Sequence, residues 1–401
     1  MIIGRINPRL LDAAFYALCA AFAGLTALTS TLLPHRGWGQ IAWIGYAAGA
    51  LLVLRLARWW LIPFLFAATA LLPLLVEAVQ RASGRSGRAQ EEVLVVEQMG
   101  ERLVRTGTPY LSHDAIAALP DRLMGYAPYQ PGMAVFGLPR ATFGSHWWTD
   151  ARVWFALATI AGLTWAWRLL RSTDPLRLAQ AVAVLPLCTL TLATGGDDIP
   201  VLALCVLSLA LASRDRFLAA GVVVGLAGAL KLFALPVALV VLILAWSTGR
   251  WSFSWRFAVP AFGIPVLALV PALAVDPDAF VENAIRFPSG HGLVTSPAQS
   301  PLPGHLIATA LPAGRTVALV LLLLAGAVIA WYLFRRPPTT AASASAYIAA
   351  GLTAAIMLTP TTRFGYLLYP VAFLAFWWSL RAGARRQEAW PSVTGRRPAQ
   401  P

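Results

Sequence analysis

Apolar runs of about 15 to 24 residues recur from one end of this sequence to the other, separated by short polar breaks. A soluble domain has no interior that could hide so many of them, whereas a bilayer accepts runs of about 20 residues as spanning helices. Composition agrees: 58% of the 401 residues are hydrophobic and 12% are charged. In lipid every backbone polar group must be satisfied within the chain, and uninterrupted runs of this length do that as helices. The expectation is an all-α polytopic membrane protein with about twelve spans. They fall at 10–33, 41–57, 60–77, 150–169, 178–194, 199–213, 217–231, 232–248, 257–275, 315–334, 341–359 and 365–380.

The net charge of +14 comes from arginines dispersed at the ends of these runs, with Lys231 the only lysine. Positive-inside orientation and anionic headgroups account for such a pattern, so nucleic acid is set aside as a partner and membrane lipid is retained. With the N-terminus inside, Arg5, Arg9, Arg55, Arg58, Arg168, Arg171, Arg177, Arg214, Arg216, Arg250, Arg256, Arg335, Arg336 and the basic tail 381–401 face the cytoplasm. Most carboxylates then face outward, among them Glu91, Glu92, Glu97, Glu101, Asp197, Asp198, Asp276 and Glu282. The basic start "MIIGRINPRL" leads into a run too long for a cleaved signal and reads as the first span. Cys19, Cys188 and Cys205 lie in apolar runs without metal-ligand spacing and read as buried small residues.

Two outer segments, 78–149 and 276–314, are too long for turns and too rich in apolar and aromatic residues for disordered linkers. In the first, "EEVLVVEQMGERLVRTG" has helical periodicity, with Val93, Val96, Met99, Leu103 and Val104 forming a stripe suited to a helix on the membrane surface. Glu91 and Glu92 stand at its start, where a carboxylate also favours a helix N-terminus. Downstream, "GYAPYQPGMAVFGLP" offers Tyr126, Tyr129 and Gln130 among prolines, groups that suit a sugar or an interfacial belt equally. "TGGDDIP" places Asp197 and Asp198 in a short outer connection, as a solvated turn or as ligands of substrate hydroxyls. Lys231, between a small-residue run and "LFALP", is a cation at membrane depth or a snorkelling end. Arg286 suits a phosphate through its planar fork, His291 and His305 are further polar candidates, and Arg363, Tyr366 and Tyr369 cluster in "TPTTRFGYLLYP". No His or Asp spacing makes a convincing metal site.

An acidic residue after an early span, a short helix ending in "GTPY", a Tyr/Pro segment returning to the membrane and "AGVVVGLAGALKLFALP" (220–236) together resemble the GT-C superfamily of polyprenyl-phosphate-sugar-dependent glycosyltransferases. Within it the sequence is most similar to glycosyltransferase family 87, the actinobacterial mannosyltransferase type, over roughly residues 85 to 380. Residues 1–84, with about three spans, then read as an extension and 381–401 as a cytoplasmic tail. The resemblance puts Glu92 at the place of the family's catalytic aspartate, with Glu91 the nearest substitute, and "PYQP" (128–131) on its Tyr-Pro-Pro segment, with Gln130 in place of a proline. Asp197 and Asp198 become further candidates for the base.

The resemblance implies a GT-C-like bundle whose outward loops carry short interfacial helices. It also implies transfer of a hexose, mannose above all, from a polyprenyl-phosphate donor to an envelope glycolipid or glycan. The site would be on the outer side of a bacterial plasma membrane, with both termini cytoplasmic. Lys231, Arg286 and Arg363 would hold the donor phosphate, and Tyr126, Tyr129, Gln130, His291 and Tyr366 the sugar or acceptor. No cofactor is expected. A transporter or flippase of lipid-linked sugars should show paired inverted repeats, and no second copy of "GLAGALKLFALP" occurs. A non-catalytic assembly protein keeping this fold is the other alternative.

Overall fold

The computed structural model describes residues 7–170 and 175–388; Arg5, Arg171 and the tail beyond residue 388 lie outside the described residues. The described residues are mainly helical, and β pairing among them is confined to an isolated parallel bridge between Gln299 and Thr362. The main helices are α1 Pro8–Thr29, α2 Leu33–Leu52, α3 Arg58–Ala82, α4 Glu91–Thr106, α5 Ala151–Leu170 and α6 Leu176–Thr194. They are followed by α7 Asp198–Ala212, α8 Phe217–Leu230, α9 Ala234–Ser247, α10 Trp251–Val275, α11 Gly314–Arg335, α12 Ala341–Leu358 and α13 Leu368–Glu388. Seven of these (α1, α3, α5, α6, α10, α11 and α12) are long and apolar enough to cross a membrane. The protein is therefore a multi-pass membrane protein. The expected spans at 199–213, 217–231 and 232–248 form as the shorter helices α7, α8 and α9.

Differences from the expected boundaries have local causes. The helix expected at 41–57 begins at Leu33 instead, because Pro34 sits in the first turn, where its missing N–H is harmless. The glycines that look like loop residues in "HRGWGQ" are packing positions: a Cβ on Gly39 would lie 2.6 Å from the Ala23 carbonyl oxygen, so α1 and α2 touch backbone to backbone. Gly221 and Gly225 do the same for α8, facing Phe257 and Pro260 of α10, while Gly228 makes room for the Pro265 ring. Helix α7 is apolar all round and buried along nearly its whole length between α5 and α8. By contrast α10 and α11 are scarcely covered by protein, as lipid-facing helices should be.

Helix α4 does not lie stripe-down on lipid. Val93, Val96 and Met99 are buried against the 3₁₀ segment Pro131–Gly137, and Gly100 meets Gly137 with no room for a side chain on either. Val104, expected in the stripe, is exposed. Gly107, at φ 77°, ends the helix in the left-handed conformation and turns the chain back toward the core.

Candidate active site

The Tyr/Pro segment packs back against the helical bundle because its backbone has partners there. Gln130 donates its N–H to the Leu230 carbonyl (3.2 Å), and Gly132 lies against the backbone of Ala229. Asn283 accepts from the Ala127 N–H (2.9 Å) and donates to the Leu111 carbonyl (2.8 Å), while the Tyr110 hydroxyl donates to the Tyr129 carbonyl (2.7 Å). This segment, the start of α4, the α6–α7 turn and the α8–α9 break surround a cavity of about 830 Å³. Phe22 and Leu32 near the α1–α2 turn, Leu187 and Leu190 of α6, and Ala355 and Ile356 of α12 give it apolar walls. Its polar end gathers Glu91, Glu92, Asp197, Asp198, Lys231 and Arg363, with Tyr126, Tyr129 and Tyr366 beside them.

Asp197 and Asp198 are buried, not solvated. Gly196, at φ 88°, makes the tight turn, and α7 then starts at Asp198. Lys231 leaves α8 in an extended conformation, and its Nζ donates to Asp197 Oδ2 (2.7 Å) and Asp198 Oδ1 (2.6 Å). Tyr369 donates to the same Asp198 oxygen at 2.8 Å. The Tyr129 and Tyr366 rings stand 5.3 and 5.7 Å from Lys231 Nζ, within cation–π range. Two buried carboxylates therefore share one ammonium.

Across the cavity Glu92 is paired with Arg363. Burial would lower the Arg363 guanidinium, but Glu92 beside it outweighs that and raises it. The backbone around Arg363 is fixed by the strap from the second outer loop: Ser300 N–H donates to Thr362 O and Thr362 N–H to Ala298 O, both at 2.9 Å. Tyr126 faces the cavity, yet its hydroxyl donates to Glu282 Oε1 (2.7 Å) and accepts from the Leu293 N–H (2.7 Å), and its ring stacks on Phe287. Burial and the adjacent carboxylate push that hydroxyl up to about 12, so it remains a donor at neutral pH. Burial works to raise Glu282, but hydrogen bonds from Tyr126, His113 and Arg286 prevail and hold it below its ordinary value.

Three expected site residues stand away from the cavity. Gln130 is buried behind it, Arg286 turns outward to Glu282 (3.4 Å), and His291 lies on the exposed loop beside Ser289. His305 packs against the Pro360 carbonyl. His35, Gln90 and Thr194 line the cavity without having been singled out in the sequence. The only signal for Gln90 is its place directly before Glu91 and Glu92, and for His35 its position as a polar residue at the edge of an apolar run. Among the described residues no group of three or more His, Cys, Asp or Glu side chains is placed to hold a metal ion.

Comparison with curated proteins gives no match. Among solved structures the chain is similar to ArnT from Cupriavidus metallidurans in the apo state, with 17% identity and a TM-score of 0.46, over 80% of this chain and 58% of that one. This chain thus spans somewhat over half the length of that protein. The family model of glycosyltransferase family 87 matches residues 126–360, which include the Tyr/Pro segment, Asp197, Asp198 and Lys231 but begin downstream of Glu92. That match covers more than half of the chain, and the protein belongs to glycosyltransferase family 87.

Proposed function

We propose that this protein transfers a hexose, mannose in the first instance, from a polyprenyl-phosphate-sugar to a hydroxyl of a cell-envelope glycolipid or glycan. The observation that carries the reading is the cavity itself. It has apolar walls that suit a prenyl chain, and at its polar end carboxylates face Lys231 and Arg363. Family membership supports the same class of chemistry. The acceptor oxygen attacks the anomeric carbon as the bond from that carbon to the phosphate oxygen breaks, which inverts the configuration. A carboxylate, Glu92 by position, takes the acceptor proton, a role worth about 10²–10⁴-fold in rate. Lys231 and Arg363 stabilise the departing polyprenyl phosphate as its charge grows. Glu91, Asp197 and Asp198 are the other carboxylates placed to act as base. In this reading the cavity faces the outer side and both termini lie in the cytoplasm, an orientation that the arginine distribution supports.

The test is transfer from synthetic polyprenyl-phosphate-mannose to an envelope lipid extract by the purified protein, compared with Glu92→Gln and Asp197→Asn. Transfer by the wild type and its loss in folded Glu92→Gln is the expected result. Loss confined to Asp197→Asn moves the base to the α6–α7 turn, and a wild type without transfer from this donor refutes the donor assignment.

A further inference from the structure

Gln90 directly precedes α4, yet its side chain does not cap that helix. It reaches across the cavity edge instead. Its amide oxygen accepts from the Thr194 hydroxyl at 3.0 Å, its amide nitrogen is 2.8 Å from His35 Nε2, and its backbone N–H donates to the Thr194 carbonyl at 2.9 Å. Gly195 leaves space for this group: a Cβ there would stand 2.7 Å from the amide oxygen. One amide therefore joins the first turn of α2, the start of α4 and the end of α6. Glu91 and Glu92 follow Gln90 in the chain, while Asp197 and Asp198 follow Thr194 after the two-glycine turn. The spacing between the two carboxylate pairs across the cavity is thus set at this joint, and both His35 and Gln90 lie outside the segment matched by the family model.

We infer that Gln90, gripped by His35 and Thr194, is a positioning residue that holds Glu92 in register with the Asp197–Lys231–Asp198 triplet. The inference rests on the proposed sugar transfer, and these residues act through Glu92 without touching the reacting atoms. Misplacing a reacting group by about 1 Å costs up to about 10²-fold in rate. Donor binding should be spared, because Lys231 keeps its own partners and the backbone beside Arg363 is held by the strap independently of Glu92.

The experiment measures kcat and donor KM for polyprenyl-phosphate-mannose with the full chain in detergent, together with melting temperatures, for Gln90→Ala, His35→Leu, His35→Gln and Gly195→Ala. Gln90→Ala and His35→Leu should lower kcat by roughly 10- to 100-fold with donor KM nearly unchanged. His35→Gln should recover most of that loss, since an amide can pair with an amide. Gly195→Ala keeps every hydrogen-bonding group and should mimic Gln90→Ala by displacing the amide, which separates the role from folding. A lowered melting temperature with unchanged kcat, or a raised KM with unchanged kcat, overturns the inference. A wild type that transfers no sugar refutes the proposed function and this role with it, and so is distinguishable from failure of the joint alone.

Discussion

Replacing Lys231 with methionine removes the single cation shared by Asp197 and Asp198 while keeping a side chain of similar length. Both carboxylates are nearly inaccessible, and each loses a hydrogen bond of 2.6–2.7 Å. Tyr369 still donates to Asp198, but Asp197 keeps no side-chain cation. Breaking a buried ion pair by deleting one partner costs about 3–5 kcal/mol, because the remaining charge stays desolvated. At about 2 °C per kcal/mol, the lower end for sizeable chains, the melting temperature should fall by about 6–10 °C. Thermal unfolding of the detergent-purified protein, followed by intrinsic tryptophan fluorescence, reads this directly. The uncharged triple variant Asp197→Asn, Asp198→Asn, Lys231→Met should regain most of the loss, since it leaves no unpaired charge. A Lys231→Met protein melting within about 1 °C of wild type would show that the triplet is hydrated, and the reasoning from burial would fail.

Three further outcomes are expected. Gly100→Ala brings a Cβ to 2.7 Å from the Gly137 Cα, so overpacking should cost about 1–3 kcal/mol and displace α4, seen as a lower melting temperature; an unchanged value would mean that the α4 contact is loose. Tyr126→Phe deletes the hydroxyl between Glu282 and the Leu293 N–H, a loss of about 1.5–3 kcal/mol that should speed proteolysis within 288–296; equal cleavage rates would contradict the clasp. Burial works to raise Asp150, but Arg152 and Arg81 override it and hold its carboxyl below the ordinary range, so its stabilisation is present above the unfolded-state value of about 3.9 and is lost as pH falls toward the folded value. Asp150→Asn should therefore flatten the decline of melting temperature below about pH 4, and an unaltered acid limb would count against the Arg81–Asp150–Arg152 network.

Much of the fold is legible because lipid imposes a single strong rule. A run such as 315–334 can only be a helix facing lipid, and it is one. Local punctuation was harder to read. Gly37 and Gly39 break an apolar pattern as loop residues would, yet Gly37 makes room for the Glu77 side chain and Gly39 for the backbone of α1, contacts that only the partners reveal. The stripe of α4 has the same periodicity whether it meets lipid or protein, and Gly137, some 37 positions after Gly100, decides between them. At the site, Glu92, Asp197 and Lys231 stand out in sequence because charge is scarce in apolar surroundings. Their pairing does not: nothing in spacing states that Lys231 meets residues 33 and 34 positions earlier, or that Arg363 meets Glu92. Polar residues without charge, such as Gln90 and Thr194, carry still less signal, since an amide or hydroxyl near a helix end is ordinary.

The Asp197–Lys231–Asp198 triplet also sets an order on how the chain enters its membrane. The aspartates are synthesised 34 and 33 residues ahead of the lysine that neutralises them. At translation rates of about 5–20 residues per second, they precede it by roughly 2–7 s. Both stand at the N-terminal end of α7, where a carboxylate costs less than the ~2.5–3.5 kcal/mol it would at a helix centre, and Lys231 can pair with them only when the end of α8 has been made.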